Sequence, residues 1–197
     1  MKRALHITSS ARGGQSYSRG LSTAIINKLV SRNEVSTVVE RDLTQSPPPF
    51  LDETLIWEFY KQAGATNGEE RQLLAYADGV FNEINQADII VLSTPMYNLG
   101  MSALLKGWLD QLVRVGLTYK FNDDGSKSGC LTNKKVYLAI ASGGKLAFWP
   151  EGYEFIESHI KAVFSTYAGI TDVSTYRVEG TAMPGVAIDY EEIIQSL

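Results

Sequence analysis

The residues of this chain with chemistry to offer gather in three short polar stretches. The first runs from Ser9-Ser10 through Arg12-Gly13-Gly14 to Ser16-Tyr17-Ser18. It follows the apolar run Ala4-Leu5-His6-Ile7 and precedes a helical pattern of Leu21, Ile25, Ile26, Leu29 and Val30. Strand, hydroxyl-rich loop and helix together make an anion site in a parallel sheet. The loop supplies hydroxyls and free backbone N–H groups, and the helix adds its positive end. A phosphate is the expected occupant. The second stretch, Thr94-Pro95-Met96-Tyr97-Asn98-Leu99-Gly100, sets a thioether, a phenol and an amide just before a helix. Such groups can line the face and edge of a planar heteroaromatic ring. The third, Ala141-Ser142-Gly143-Gly144, can bring backbone N–H groups close to a ring carbonyl, because glycine has no side chain in the way. Taken singly, each stretch also reads as an ordinary turn or cap.

The elements between these stretches decide whether they can meet. Helical periodicity is expected over 18–32, 51–62, 70–86, 102–115, 154–167 and 190–197, with a turn and cap at Thr66-Asn67-Gly68-Glu69. Strands are expected over 4–7, 35–39, 89–92, 136–141 and 171–178; the run Ile89-Ile90-Val91-Leu92 has the continuous apolar character of a central parallel strand. A hairpin is expected between Tyr119-Lys120-Phe121 and Gly129-Cys130-Leu131, turning at Asn122-Asp123-Asp124-Gly125. Ser46-Pro47-Pro48-Pro49 enforces an extended loop. The alternation of strands and helices predicts a doubly wound, five-stranded parallel α/β sheet with helices on both faces. It forms one domain over residues 1–197, with no repeat or linker to divide it. The flavodoxin-like order 2-1-3-4-5 is favoured because the first loop carries hydroxyls and not patterned glycines. Ligands of such sheets bind beyond the carboxyl ends of the strands, where all three stretches meet. Together they suit FMN, with its phosphate in the first loop and its ring edge against the other two.

Composition sets the outer bounds. With 197 residues, 44% hydrophobic and 20% charged, the chain can bury a core without disulfides or metal. A net charge of -4 argues against nucleic acid as a partner. Cys130 is the only cysteine, so no internal disulfide can form, and a reducing cytoplasm fits. No signal peptide and no bilayer-spanning apolar run is visible, which predicts a soluble cytoplasmic protein.

One family carries these motifs in the same order over nearly the whole chain. The matching residues are Ser9-Ser10 with Ser16-Tyr17-Ser18, Thr94-Pro95-Met96-Tyr97-Asn98, Leu105-Lys106-Gly107-Trp108-Leu109-Asp110, Gly116-Leu117-Thr118-Tyr119, Ser142-Gly143-Gly144 and Gly169-Ile170-Thr171-Asp172-Val173. Pro-Met-Tyr-Asn is the most specific of them. The chain resembles the FMN-dependent NADH-azoreductases and NADH:quinone oxidoreductases, which are flavodoxin-like homodimers. The resemblance implies FMN phosphate contacts from Ser10, Ser16, Tyr17 and Ser18. It implies ring contacts from Met96, Tyr97, Asn98 and Leu99, and further contacts from Ala141, Ser142, Gly143 and Gly144. There is one departure: the family often has Ser-Arg-Gly-Gly where this chain has Ala141-Ser142-Gly143-Gly144.

What the resemblance implies for activity is equally specific. No side chain acts as nucleophile, because the flavin carries the redox chemistry. NADH or NADPH would reduce it, and a quinone or azo compound would then be reduced in ping-pong order. Among the aromatics Trp57, Tyr60, Tyr119, Phe121, Phe164 and Tyr167, core packing is expected to claim about half. Tyr119, Phe121 and Phe164 are the expected walls of the acceptor pocket, across a dimer interface.

Other chemistries find less support. Ser9 to Gly14 lacks the G-x-G-x-x-G of a dinucleotide fold, and Glu40 reads as a strand-end charge. Gly14-Gln15-Ser16-Tyr17-Ser18 falls one residue short of a nucleophile elbow, and a triad would rest on His159 alone, since His6 lies inside a strand. One cysteine and two distant histidines do not make a zinc site. Two rivals remain open: a flavodoxin that shuttles electrons without its own NAD(P)H-dependent activity, and a flavin-free hydrolase or transferase using Ser16.

Overall fold

The computed structural model describes residues 2–61 and 68–197. In chain order its elements are β1 (Lys2–Thr8), α1 (Tyr17–Ser31), β2 (Val35–Asp42), α2 (Glu53–Tyr60), α3 (Gly68–Gln86), β3 (Ile89–Pro95) and α4 (Ala103–Leu112). There follow β4 (Tyr119–Phe121), β5 (Lys127–Gly129), β6 (Lys135–Ala141), α5 (Ile156–Val163), β7 (Asp172–Val178) and α6 (Tyr190–Ile193). Five strands form one parallel sheet in the order β2-β1-β3-β6-β7. With the small β4–β5 hairpin set aside, that is the 2-1-3-4-5 winding anticipated from the first loop.

Strand alternation divides the core in two. On one face Leu5, Ile7, Ile90, Leu92, Val136, Leu138 and Ile140 pack under α3, α4 and α5, with Trp108 and Phe164 fully buried among them. On the other, Ala4, Ile89, Val91, Tyr137, Ala139 and Ala141 meet Leu21, Ile25, Ile26 and Leu29 of α1, with Ile194 closing the edge. β3 is buried along its whole length because helices cover both of its faces.

Most departures from expectation lie at element ends, where capping decides the boundary. α2 begins at Glu53 because the Asp52 carboxylate accepts from the Leu55 N–H at 2.8 Å. The expected helix end at Gln62 and the Thr66-Asn67 part of the expected turn lie outside the described residues. α4 stops at Leu112, three residues early, because the buried Thr118 hydroxyl donates to the Leu112 carbonyl and Gly116 takes a left-handed φ of 79°. α5 starts two residues late because Glu154 caps it from outside, accepting from Ile156 N–H at 3.0 Å and Glu157 N–H at 3.1 Å. Its end widens into a π turn, Phe164–Ala168, stopped by Gly169 at φ 78°. The second hairpin strand is Lys127–Gly129, two residues earlier than expected, and α6 has only four residues.

Candidate functional site

Three loops line up along the carboxyl edge of the sheet because β1, β3 and β6 are adjacent there. Loop one joins β1 to α1. The Ser9 hydroxyl donates to the Ser93 carbonyl at 2.9 Å, which fastens this loop to the end of β3. The Ser10 hydroxyl accepts from the Arg12 N–H at 3.3 Å. Gly13, at φ 56°, supplies the left-handed step that turns the chain into the helix. Ser16 caps α1, its oxygen accepting from the Arg19 N–H at 3.3 Å, and lies 3.1 Å from the Ser18 hydroxyl. Tyr17 and Ser18, the first two helical residues, have no intrahelical acceptor for their N–H groups. Arg12 lays its guanidinium 5.6 Å above the Tyr17 ring. The sequence thus collects three buried hydroxyls, two free amides and a cation at one helix start. That is the chemistry of a phosphate cradle.

Loop two leaves β3 through a tight reversal. Tyr97 and Gly100 exchange backbone hydrogen bonds of 2.9 and 3.0 Å, and the residues between them, Asn98 and Leu99, sit at φ 50° and 67°. Two consecutive left-handed residues make a type I′ turn. Asparagine tolerates this conformation, whereas leucine is strained in it. Strain held at this edge of the sheet makes the turn a candidate functional element. Met96 is half-buried, while Tyr97 and Asn98 face solvent. The Thr94 hydroxyl accepts from the Ser102 N–H at 3.2 Å, and Ser102 caps α4, so the turn is braced on both sides.

Loop three follows β6. Met96 N–H donates to the Ala141 carbonyl at 2.7 Å, tying loops two and three together. Ala141 and Ser142 are buried. The Ser142 hydroxyl, standing where the resembling family often has arginine, donates inward to the Gly144 carbonyl at 2.7 Å. Its carbonyl in turn accepts from Thr181. Gly143 and Gly144 therefore form the open part of the turn. A side chain at Gly144 would press the Trp149 ring at 3.0 Å.

A sizeable cleft lies elsewhere. It encloses about 510 Å³ between α2, α4, the β4–β5 hairpin and the end of α5, and none of its lining residues belongs to the three loops. Tyr119, Phe121 and Tyr167 form its aromatic wall, with Tyr119 edge-on to both others at centroid distances of 5.6 and 5.1 Å. Burial pushes the Tyr119 phenol above the ordinary tyrosine range, against the opposing pull of the Lys127 ammonium. Phe164 does not join this wall. It is fully buried in the core, because the π turn aims it at the sheet and presents Tyr167 to the cleft. Trp57 and Tyr60 are largely exposed, not packed.

The residue unread in the sequence is Lys127, which lines the cleft together with Lys106 and His159. Lys127 was hidden by the two-residue misplacement of the second hairpin strand: in the observed register it stands directly opposite Phe121. The hydrolase reading loses its base. His6 is buried and engaged by Glu40 at Nδ1 (2.9 Å) and Ser22 at Nε2 (2.7 Å). Neither histidine bonds to Ser16 among the described residues. Among those residues there is also no cluster of metal-ligating side chains and no helix long and apolar enough to cross a membrane.

Known proteins share this fold. A family model described as a flavodoxin-like fold matches residues 2–196. An FMN-dependent NADH:quinone oxidoreductase of Herminiimonas arsenicoxydans is 38% identical, the alignment covering 93% of this chain and 89% of that protein. One of the same name from Rhizobium leguminosarum is 37% identical over 92% of this chain and 88% of its own. The crystal structure of an azoreductase from Bacillus anthracis superposes with a TM-score of 0.83 at 29% identity, covering all of this chain and 94% of the other. The chain belongs to the flavodoxin-like family of FMN-dependent NADH:quinone oxidoreductases and azoreductases.

Proposed function

We propose that the protein is an FMN-dependent NADH:quinone oxidoreductase that also cleaves aromatic azo compounds, with residues 1–197 acting as one FMN-binding unit. The observation that carries this reading is the hydrogen-bonded edge of three loops, hydroxyl-lined at one end and glycine-open at the other. The residues fit the group. Ser10, Ser16, Tyr17 and Ser18 would hold the phosphate with hydroxyls and the free amides of α1. Met96, Tyr97, Asn98 and Leu99 would meet the ring, and Gly143 and Gly144 would offer amides to its polar edge. When bound, FMN supplies hydride acceptance from NADH or NADPH and two-electron delivery to the acceptor. The protein contributes position and exclusion of water, and no side chain need act as nucleophile.

Within one copy the aromatic cleft shares no lining residue with that edge. α4, ten residues or about 15 Å long, starts at the loop edge and runs down toward the hairpin. We infer a homodimer in which the Tyr119 and Phe121 wall of one copy closes over the loops of the other. Exposed Trp57, Tyr60 and Phe121 around the cleft suit such burial. A cytoplasmic location accords with a single, unpaired cysteine.

Steady-state assay of the FMN-loaded protein with NADH and NADPH against a quinone and an azo dye tests the reading. Parallel double-reciprocal lines with both acceptor classes are expected. Flavin bound without any NAD(P)H-dependent turnover would indicate an electron shuttle instead.

A further inference from the structure

Lys127 is the one cation of the aromatic cleft without a carboxylate partner among the described residues. Lys106, on the same wall, is neutralised by Asp110, with Nζ at 2.6 and 2.7 Å from its two oxygens. Lys106 and Asp110 cancel, which leaves Lys127 as the unneutralised lysine of the lining. The Lys127 ammonium lies 4.5 Å from the Tyr167 ring centre, 5.3 Å from Tyr119 and 5.9 Å from Phe121, with the Tyr167 hydroxyl at 3.5 Å.

The backbone holds this cation in place. Lys127 faces Phe121 across the hairpin. The turn between them is closed by Asn122 N–H donating to the Ser126 carbonyl at 2.8 Å and by Gly125 at φ 80°. The hairpin in turn lies against the π turn that carries Tyr167, since a methyl added at Gly129 would sit 2.0 Å from the Gly169 nitrogen. Lys127 is exposed, so its ammonium stays open to an anion while the three rings flank it. A counter-charge brought in by a flat ligand would complete the site.

We propose that Lys127 is a specificity residue, selecting flat aromatic acceptors that bear an anionic substituent, a carboxylate or a sulfonate. The inference rests on the reading of this cleft as the acceptor wall. It goes beyond that reading in assigning charge preference to one side chain. The aromatic wall takes the ring system and the ammonium takes the anion, at the cost of no buried unpaired charge on either side.

The test compares a naphthoquinone with its ring-sulfonated counterpart, using the FMN-loaded protein and NADH. Lys127→Met is expected to lower the sulfonated-to-neutral ratio of kcat/KM about tenfold, the size of one charge-assisted hydrogen bond, and to do so through KM. Lys127→Arg keeps the ratio within about threefold of wild type, because the charge is preserved. An unchanged ratio in Lys127→Met would overturn the proposal. Binding of the sulfonated quinone to the oxidised FMN-loaded protein, followed by calorimetry, separates this inference from the proposed activity. Turnover absent with both quinones refutes the activity; equal affinity of wild type and Lys127→Met for the sulfonate refutes the role of Lys127.

Discussion

Gly129 and Gly169 meet backbone to backbone: a methyl on Gly129 would stand 2.0 Å from the Gly169 nitrogen and 2.5 Å from the Ala168 carbonyl oxygen. No flexible side chain is there to give way. This contact presses the hairpin onto the end of α5 and sets Tyr119 against Tyr167. Gly129→Ala should cost about 3 kcal/mol, the upper range for overpacking, and more than Gly125→Ala. Gly125 has open space around it and needs only its left-handed backbone, worth about 1 kcal/mol. Urea denaturation of the two variants checks the order.

Loop one should be separable into capping and ligand binding. Ser18→Ala removes a buried hydroxyl that meets only Ser16 inside the protein. It is expected to weaken FMN by about 1.5–3 kcal/mol, as for a hydrogen bond to a charged group. Ser16→Ala should weaken FMN comparably and also cost about 1 kcal/mol of stability, because Ser16 caps α1. Fluorescence titration of the apoprotein with FMN, beside thermal melts, measures both effects. Unchanged flavin affinity in the double variant would remove the phosphate from this loop.

The strained turn yields a trade-off. Leu99→Asn puts a residue tolerant of left-handed backbone at φ 67° and should raise stability by about 1 kcal/mol. If Leu99 is retained for contact with the ring, the same variant should bind FMN less tightly. A gain in melting temperature with no change in flavin affinity would mean that the leucine has no ligand role.

Acid should loosen the start of α5. Burial raises the Glu157 carboxyl, but hydrogen bonds from Lys161 and Arg177 outweigh it and leave its pKa below the ordinary glutamate value of 4.5. A depressed folded-state pKa means that this stabilisation is complete above 4.5 and fades as pH falls through the lower folded value. The stability gap between wild type and Glu157→Gln should therefore narrow as pH drops below 4.5. Denaturation series at descending pH measure it, and a gap constant across that range would contradict the assignment.

Much of this architecture was legible because it is written in short-range pattern. The apolar run of β3 and the helical spacing of α1 fixed strand and helix types, and the hydroxyl loop between β1 and α1 pointed to the 2-1-3-4-5 winding. Harder to read were features set by distant contacts. The end of α4 depends on Thr118 reaching back to Leu112, and the fate of Phe164 on a π turn that rotates Tyr167 outward in its place. The inward hydrogen bond of Ser142 likewise has no signature in composition. Lys127 was missed for a simpler reason: hairpin register decides which side chains share a face, and register follows from turn geometry that the Asn122-Asp123-Asp124-Gly125 motif leaves open by two residues.

The central claim, that three joined loops hold FMN for hydride transfer from a nicotinamide, is tested most directly by anaerobic absorbance spectroscopy of the flavin-loaded protein. NADH alone should bleach the yellow flavin band within the mixing time of a manual assay, and one equivalent of quinone should restore it. Protein that takes up no FMN, or whose bound FMN keeps its colour in excess NADH and NADPH, would contradict the account.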